Sequence, residues 1–214
     1  MAIQNFSPLQ LNSTLSVGVD DTGHDVKFFG ATAGEYMLWD ESEDALFLAD
    51  NTQLRIGAGG DLRFFHNGTN SFAVNYNGDF YISNNAADKD LIFQCDNGSG
   101  GEKTYFFLDG SQADGTYSFT IFPDNSIAAF GNSTDLQIYH DGSNTKLLNY
   151  TGDLQIINYA DDKDIILSSD DGSGGTTAYL TLDGSSASTK LHVDTYLDDN
   201  KAMMFGTGGD AFFK

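Results

Sequence analysis

The sequence predicts an all-β protein made of tandem repeats, and three observations predict it: a long internal duplication, period-two apolar alternation in short runs, and turn formers that recur in register between those runs. The stretch from Asp61 to Gly110 aligns without a gap with the stretch from Asp135 to Gly184, at an offset of 74 and with 25 of 50 positions identical. The chain carries 24 Gly against 2 Pro, and 27 of its 214 residues are Tyr or Phe. Aromatic and β-branched runs separated by Gly, Asn, Asp and Ser are the composition of strands joined by tight turns. No amphipathic helical window of useful length competes with them.

The elements follow in order. Residues 1–16 show little periodicity and read as an attachment or flexible segment. Residues 17–49 form a separate β module, with strands expected at Val26–Phe29, Tyr36–Trp39 and Ala45–Leu48 between Gly-containing or acidic turns. Positions 50–123 and 124–198 are two β repeats whose period is the same offset, and positions 199–214 are the truncated start of a third. Its opening, DNKAMMFGTGGDAFFK from Asp199, matches the lead-ins DNTQLRIGAGGDLRFF from Asp50 and DNSIAAFGNSTDLQIY from Asp124.

Alternation assigns faces within each repeat. Leu62, Phe64 and His66 share one side of their strand and Leu136, Ile138 and His140 the matching side, which leaves Phe65 and Tyr139 on the opposite one. The pairs Asn67-Gly68 and Asp141-Gly142, Asn77-Gly78 and Thr151-Gly152, Asn97-Gly98 and Asp171-Gly172, and Asp109-Gly110 and Asp183-Gly184 recur in register. They are expected to form two-residue hairpin turns with positive φ at both central positions. Short strands with one apolar face make a thin cross-section. The expected architecture is therefore elongated, with repeats stacked along a fibre axis and the core completed by homotrimerisation.

Composition narrows the partners. Ten basic residues face 31 acidic ones, giving a formal charge of −21, so nucleic acid and anionic membranes are poor partners. No run of about 18 apolar residues predicts a membrane span. The residues after Met1 lack a charged region followed by an apolar stretch, so secretion by the general pathway is not expected. Cys95 is the only cysteine, and Ser169 holds its place in the second repeat. A nucleophile in one copy of a duplicated unit is implausible, and Cys95 reads as a small strand residue.

The runs GHDVKFFGATAGEYMLWDESEDALFL, FGTGGD and DLQIYHDGSNTKLLNYTGDLQI resemble the modular repeats of tail fibre and related virion structural proteins of marine and cyanobacterial phages. The resemblance covers nearly the whole chain from about residue 18 onward. It implies a non-enzymatic, trimeric virion appendage, assembled in the host cytoplasm, that contacts other virion proteins and carries or displays parts meeting a host receptor or glycan. The chain is short for a long tail fibre and has no recognisable tip domain, which keeps a capsid decoration or fibre protein as the alternative.

Candidate chemistry is sparse, and no catalytic residue is assigned. The loops around Asp96 and around Asp170 and Asp171 gather oxygen ligands suited to calcium or another divalent cation, although the same residues serve equally as turn formers. The Gly59-Gly60-Asp61 and Gly208-Gly209-Asp210 runs lack the nine-residue recurrence of a calcium β-roll. His66 and His140 end equivalent strands. They either hydrogen-bond their own turns or meet copies of themselves at a threefold axis to hold a metal. His24 and His192 have no companions at ligand spacing. Phe65 and Tyr139, with Tyr81 on a neighbouring strand, could present rings to a sugar or another protein, as in a lectin-like receptor-binding module, or be buried against another layer. A glycan depolymerase would need two facing carboxylates, and the only Glu in either aligned repeat, Glu102, becomes Thr176 in the other.

Overall fold

The computed structural model of the chain describes residue 12, residues 14–207 and the backbone of residues 211–213. The expected attachment segment therefore falls largely outside the described residues, as does the Gly208-Gly209-Asp210 run. Every described element is a β-strand. No helix is long and apolar enough to cross a membrane.

The chain divides into two compact units, residues 1–86 and 87–214. The first holds two antiparallel meanders. One joins β1 (Val26–Phe29), β2 (Tyr36–Asp40) and β3 (Ala45–Leu48), and the other joins β4 (Leu54–Ile56), β5 (Leu62–His66) and β6 (Ser71–Asn75). The sequence-predicted strands of the N-terminal module are thus recovered, with one residue, Asp40, added to the second.

The second unit has three further meanders and a hairpin. β7 (Leu91–Asp96), β8 (Glu102–Asp109) and β9 (Phe119–Ile121) form one sheet. β10 (Ala128–Phe130), β11 (Leu136–His140) and β12 (Thr145–Asn149) form the next. β13 (Ile165–Asp170), β14 (Thr176–Asp183) and β15 (Ser188–Leu191) form the third, and β16 (Met203–Phe205) pairs with β17 (Ala211–Phe213).

Each strand from β4 to β8 has a counterpart among β10 to β14 at the repeat offset, with the same bounds. Even the irregularities recur. The β7–β8 register slips between Phe93 and Gln94, leaving Tyr105 as the extra residue, and the β13–β14 register slips between Leu167 and Ser168, leaving Tyr179. A bulge redirects its extra side chain. The Tyr105 hydroxyl here donates to the Asp96 carbonyl at 3.1 Å, and that of Tyr179 to the Asp170 carbonyl at 2.9 Å. The correspondence ends at the last strand, because nine residues separate Asp109 from its partner Phe119 whereas four separate Asp183 from Ser188.

The turns differ from the two-residue hairpins expected. His66 pairs with Ser71 and His140 with Thr145, so each connection has four residues. Within these two loops only the glycines, Gly68 (φ 89°) and Gly142 (φ 92°), adopt positive φ. The side-chain oxygen of the preceding residue explains the longer loop: Asn67 accepts the amides of Thr69 (3.0 Å) and Asn70 (2.8 Å), and Asp141 those of Ser143 and Asn144. Asn97-Gly98 and Asp171-Gly172 lie in five-residue loops. Asn77-Gly78 and Thr151-Gly152 close no hairpin, since residues 76–90 and 150–164 contain no strand. Gly110 and Gly184 are needed for close approach, because a Cβ on either would run into the carbonyl oxygen of Lys89 or Lys163.

These sheets enclose almost no core. Among the described residues, Ala49 is the one buried hydrophobic side chain, and the other buried residues are Gly60, Asp109, Ser126, Thr181 and Asp183. The chain exposes 17751 Å². A folded monomer of its mass would expose about 9,700 Å² by the usual area–mass scaling. Within each unit, the strongest strand contacts join neighbours in the same meander.

Candidate functional site

The repeated polar residues act first on the backbone. The Nδ1 of His66, at the end of β5, lies 2.9 Å from Asp50 Oδ1 and faces the Gly68 amide at 3.1 Å, while the Asn51 amide donates to the His66 carbonyl at 2.7 Å. His140 repeats this with Asp124 at 2.8 Å, Gly142 at 3.1 Å and Asn125 at 2.9 Å. The amide bond from Asn51 or Asn125, beside the imidazole's contact with Asp50 or Asp124, therefore ties the end of the strand to the lead-in that precedes the sheet. His192 bonds Thr181 Oγ1 through Nε2.

The acidic loops are closed in the same way. Asp96 Oδ1 accepts the Gly98 amide at 2.7 Å, and Asp170 Oδ2 accepts that of Gly172 at 2.8 Å. Asp171 Oδ1 accepts the amides of Ser173 and Gly175, as Asn97 does for Ser99 and Gly101. No group of three or more His, Cys, Asp or Glu side chains arranged to hold a metal occurs among the described residues. Cys95 is exposed.

The most enclosed carboxylates are ones the sequence did not single out. Asp109, at the end of β8, is bonded by the Ser111 hydroxyl and the Gln112 side chain, and also by the Ser111 and Gln112 amides. Those donors hold its carboxyl below the ordinary range. Asp183, its counterpart, is bonded by Lys190, Ser185 and Ser186, with the Lys190 ammonium the main cause of an even stronger depression. Asp90 and Asp164 anchor the same corners by accepting the amides of Gly110 and Gly184. The recurring Leu-Asp-Gly-Ser run was the available signal, and it marks a structural corner. Asp141 is held at about 2, first by the Lys146 ammonium at 2.6 Å and then by the Asn144 and Ser143 amides.

The three aromatic candidates are not all placed alike. Phe65 is half-buried, with its ring stacked on Phe72 of β6 at 4.8 Å between centroids. Tyr139 is half-buried beneath Lys146, whose ammonium lies 5.5 Å from the ring centre. Tyr81 sits in the strandless segment rather than on a neighbouring strand. It is 81% exposed, and its hydroxyl reaches Asp79. In both repeats the cross-strand neighbour thus covers the ring, Phe72 at Phe65 and Lys146 at Tyr139.

The open face is the other one, where Phe64 and Ile138 are exposed. Exposed apolar side chains also include Phe130 on β10 of the same sheet as Ile138, and recur on other sheets at Phe47 on β3, Phe93 on β7 and Leu167 on β13. A cleft of about 350 Å³ in the second unit continues this character, lined chiefly by Phe106, Phe122, Ile127 and Phe130. The nearby Ser126 hydroxyl is bonded to the Tyr105 carbonyl. The arrangement is suited to docking apolar surface: its rings and aliphatic groups lie on sheets whose polar residues are occupied at the turns.

Comparison with protein-family models, with curated proteins and with solved structures finds no match to this chain.

Proposed function

We propose that this protein is a non-enzymatic structural component of a bacteriophage virion, a tail fibre or similar appendage in which stacked β repeats set length and stiffness. In this reading three copies associate around a common axis, and the apolar faces left open in one chain form the core of the trimer. The observation that carries it is the surface excess. A chain that exposes 17751 Å², with a single buried hydrophobic residue among those described, lacks the interior a stable monomer needs.

The excess over a globular monomer is on the order of 8,000 Å². That is more than the area buried in most obligate interfaces, and it favours copies that join along much of their length over a local contact. The virion assignment rests on the tail-fibre resemblance of the repeats, and the strong negative charge is compatible with a particle that stays dispersed. Sedimentation velocity on the full chain, followed by negative-stain microscopy, tests the reading. A trimer visible as a slender rod is the expected result, and a monodisperse monomer would overturn it.

One observation favours a receptor-binding role for the same particle. Tyr159 and Tyr196 are 90% and 88% exposed, and rings so open can stack on sugars. A glycan array separates this reading from a plain spacer, which would bind none of the sugars.

A further inference from the structure

Two stretches read as strands yet pair with nothing among the described residues. Asp79–Ser83 and Asp153–Ile157 occupy equivalent places in the two repeats. In the first, Phe80 and Ile82 alternate with Asp79, Tyr81 and Ser83. In the second, Leu154 and Ile156 alternate with Asp153, Gln155 and Ile157. That is the period of a strand with one apolar face. Neither stretch belongs to a sheet, and among the described residues their amides and carbonyls make no backbone hydrogen bond. Ile82 and Ile156 are 59% and 62% exposed.

The chain is steered into this condition by the same device in both places. The Asn75 side-chain amide donates to the carbonyls of Asn77 (3.0 Å) and Gly78 (2.7 Å), and that of Asn149 donates to Thr151 (3.1 Å) and Gly152 (2.9 Å). Gly78 and Gly152 take φ of 70° and 68°, which only glycine adopts without strain. The chain leaves β6 and β12 instead of folding back, so each of those strands is the open edge of a three-stranded sheet.

We propose that Asp79–Ser83 and Asp153–Ile157 are intermolecular strands, each pairing with the backbone of a second copy of this chain. The proposal deepens the oligomeric reading and rests on it. Covering the apolar side chains of either stretch also removes its backbone from water, and amides withdrawn from water require partners. A second copy supplies them, because every three-stranded meander has two edges with no partner among the described residues. Both repeats of a second copy carry the same strands, so one partner offers equivalent edges to both stretches. The area each chain leaves uncovered is large enough for such pairing along its length.

Hydrogen–deuterium exchange on the full chain, read by mass spectrometry beside sedimentation velocity on the same sample, tests the proposal. In the oligomer, the alternate amides within residues 80–83 and 154–157 that face the paired strand are expected to exchange at least about a hundredfold more slowly than the loop amides of Ala113 and Gly115, as hydrogen-bonded strand amides do. An oligomer in which both stretches exchange at the loop rate would overturn this inference and leave the oligomeric reading intact. A monomer would overturn both.

Discussion

Replacing Ile82 and Ile156 together by Ser separates a solvent-facing loop from a hidden interface. In the isolated chain both side chains are more than half exposed, at 59% and 62%. Surface changes of this kind ordinarily alter stability by no more than about 0.5 kcal/mol. Fully burying an Ile side chain is worth about 1.5–3 kcal/mol. Covering the exposed fraction would therefore contribute about 1–2 kcal/mol at each position, or on the order of 6–12 kcal/mol over the two positions of three chains. At about 1.4 kcal/mol per tenfold, the double variant should weaken trimer association by at least about four decades. Sedimentation velocity across a dilution series, with a thermal melt of each sample, reads this directly. A variant with the wild-type distribution of species and an unchanged melting temperature would refute the reasoning, because the side chains would then be solvated in the assembly as they are in the single chain.

Three further outcomes follow from local geometry. The Asp141 carboxyl is depressed from its usual 3.8 to about 2 by Lys146 and two turn amides, so its contribution to stability is complete above about pH 4 and is lost as the pH falls toward 2. Urea midpoints measured between pH 5 and 2 should fall less steeply for Lys146→Gln than for the wild type. Gly184→Ala forces a Cβ against the Lys163 carbonyl and should destabilise by about 1–3 kcal/mol in denaturant titration, whereas Gly23→Ala, whose Cβ would meet Glu41 at ordinary contact distance, should be near neutral. Tyr179→Phe removes the bond from the bulge to the Asp170 carbonyl and should cost about 0.5–1.5 kcal/mol, with the same loss for Tyr105→Phe at its counterpart.

Strand positions were legible because they depend on a local signal. Val26–Phe29 and Ala45–Leu48 are bounded by Gly, Asp or Glu within a few residues, and alternation leaves little freedom in where the pleat begins. The turns were misread at Asn67 and Asp141 because a dipeptide rule ignores the side-chain oxygen that captures two later amides and stretches the loop to four residues. Which face is covered was left open for a different reason. Alternation says that Phe64 and Phe65 point oppositely, but which of them is covered depends on the cross-strand neighbour, and Phe72 lies opposite Phe65. Tyr81 was placed on a strand because its neighbours alternate correctly. The sequence carries that preference, but pairing also needs a partner, and none lies within the described chain.

The distribution of charge bears on why such open sheets can persist without uncontrolled aggregation. In every strand an Asp or Glu occurs only at a terminal position: Asp40 closes β2, Asp96 closes β7, Glu102 opens β8, Asp109 closes it, and Asp170 and Asp183 close β13 and β14. The strands of the two sheets from β4 to β6 and from β10 to β12 contain no acidic residue. A formal charge of −21 is thus confined largely to turns and linkers, leaving the apolar faces neutral. Threefold association would triple that charge, yet rim carboxylates that stay hydrated are screened over about 8 Å at physiological ionic strength. Faces can then meet while the turns stay in water. A copy out of register would instead set an acidic turn against an apolar face and strip its hydration, which disfavours the edge-to-edge growth that unpaired strands otherwise invite. Placing acids at the turns thus permits a closed assembly and opposes an open one, and a row of Asp along β5 or β11 would have prevented both.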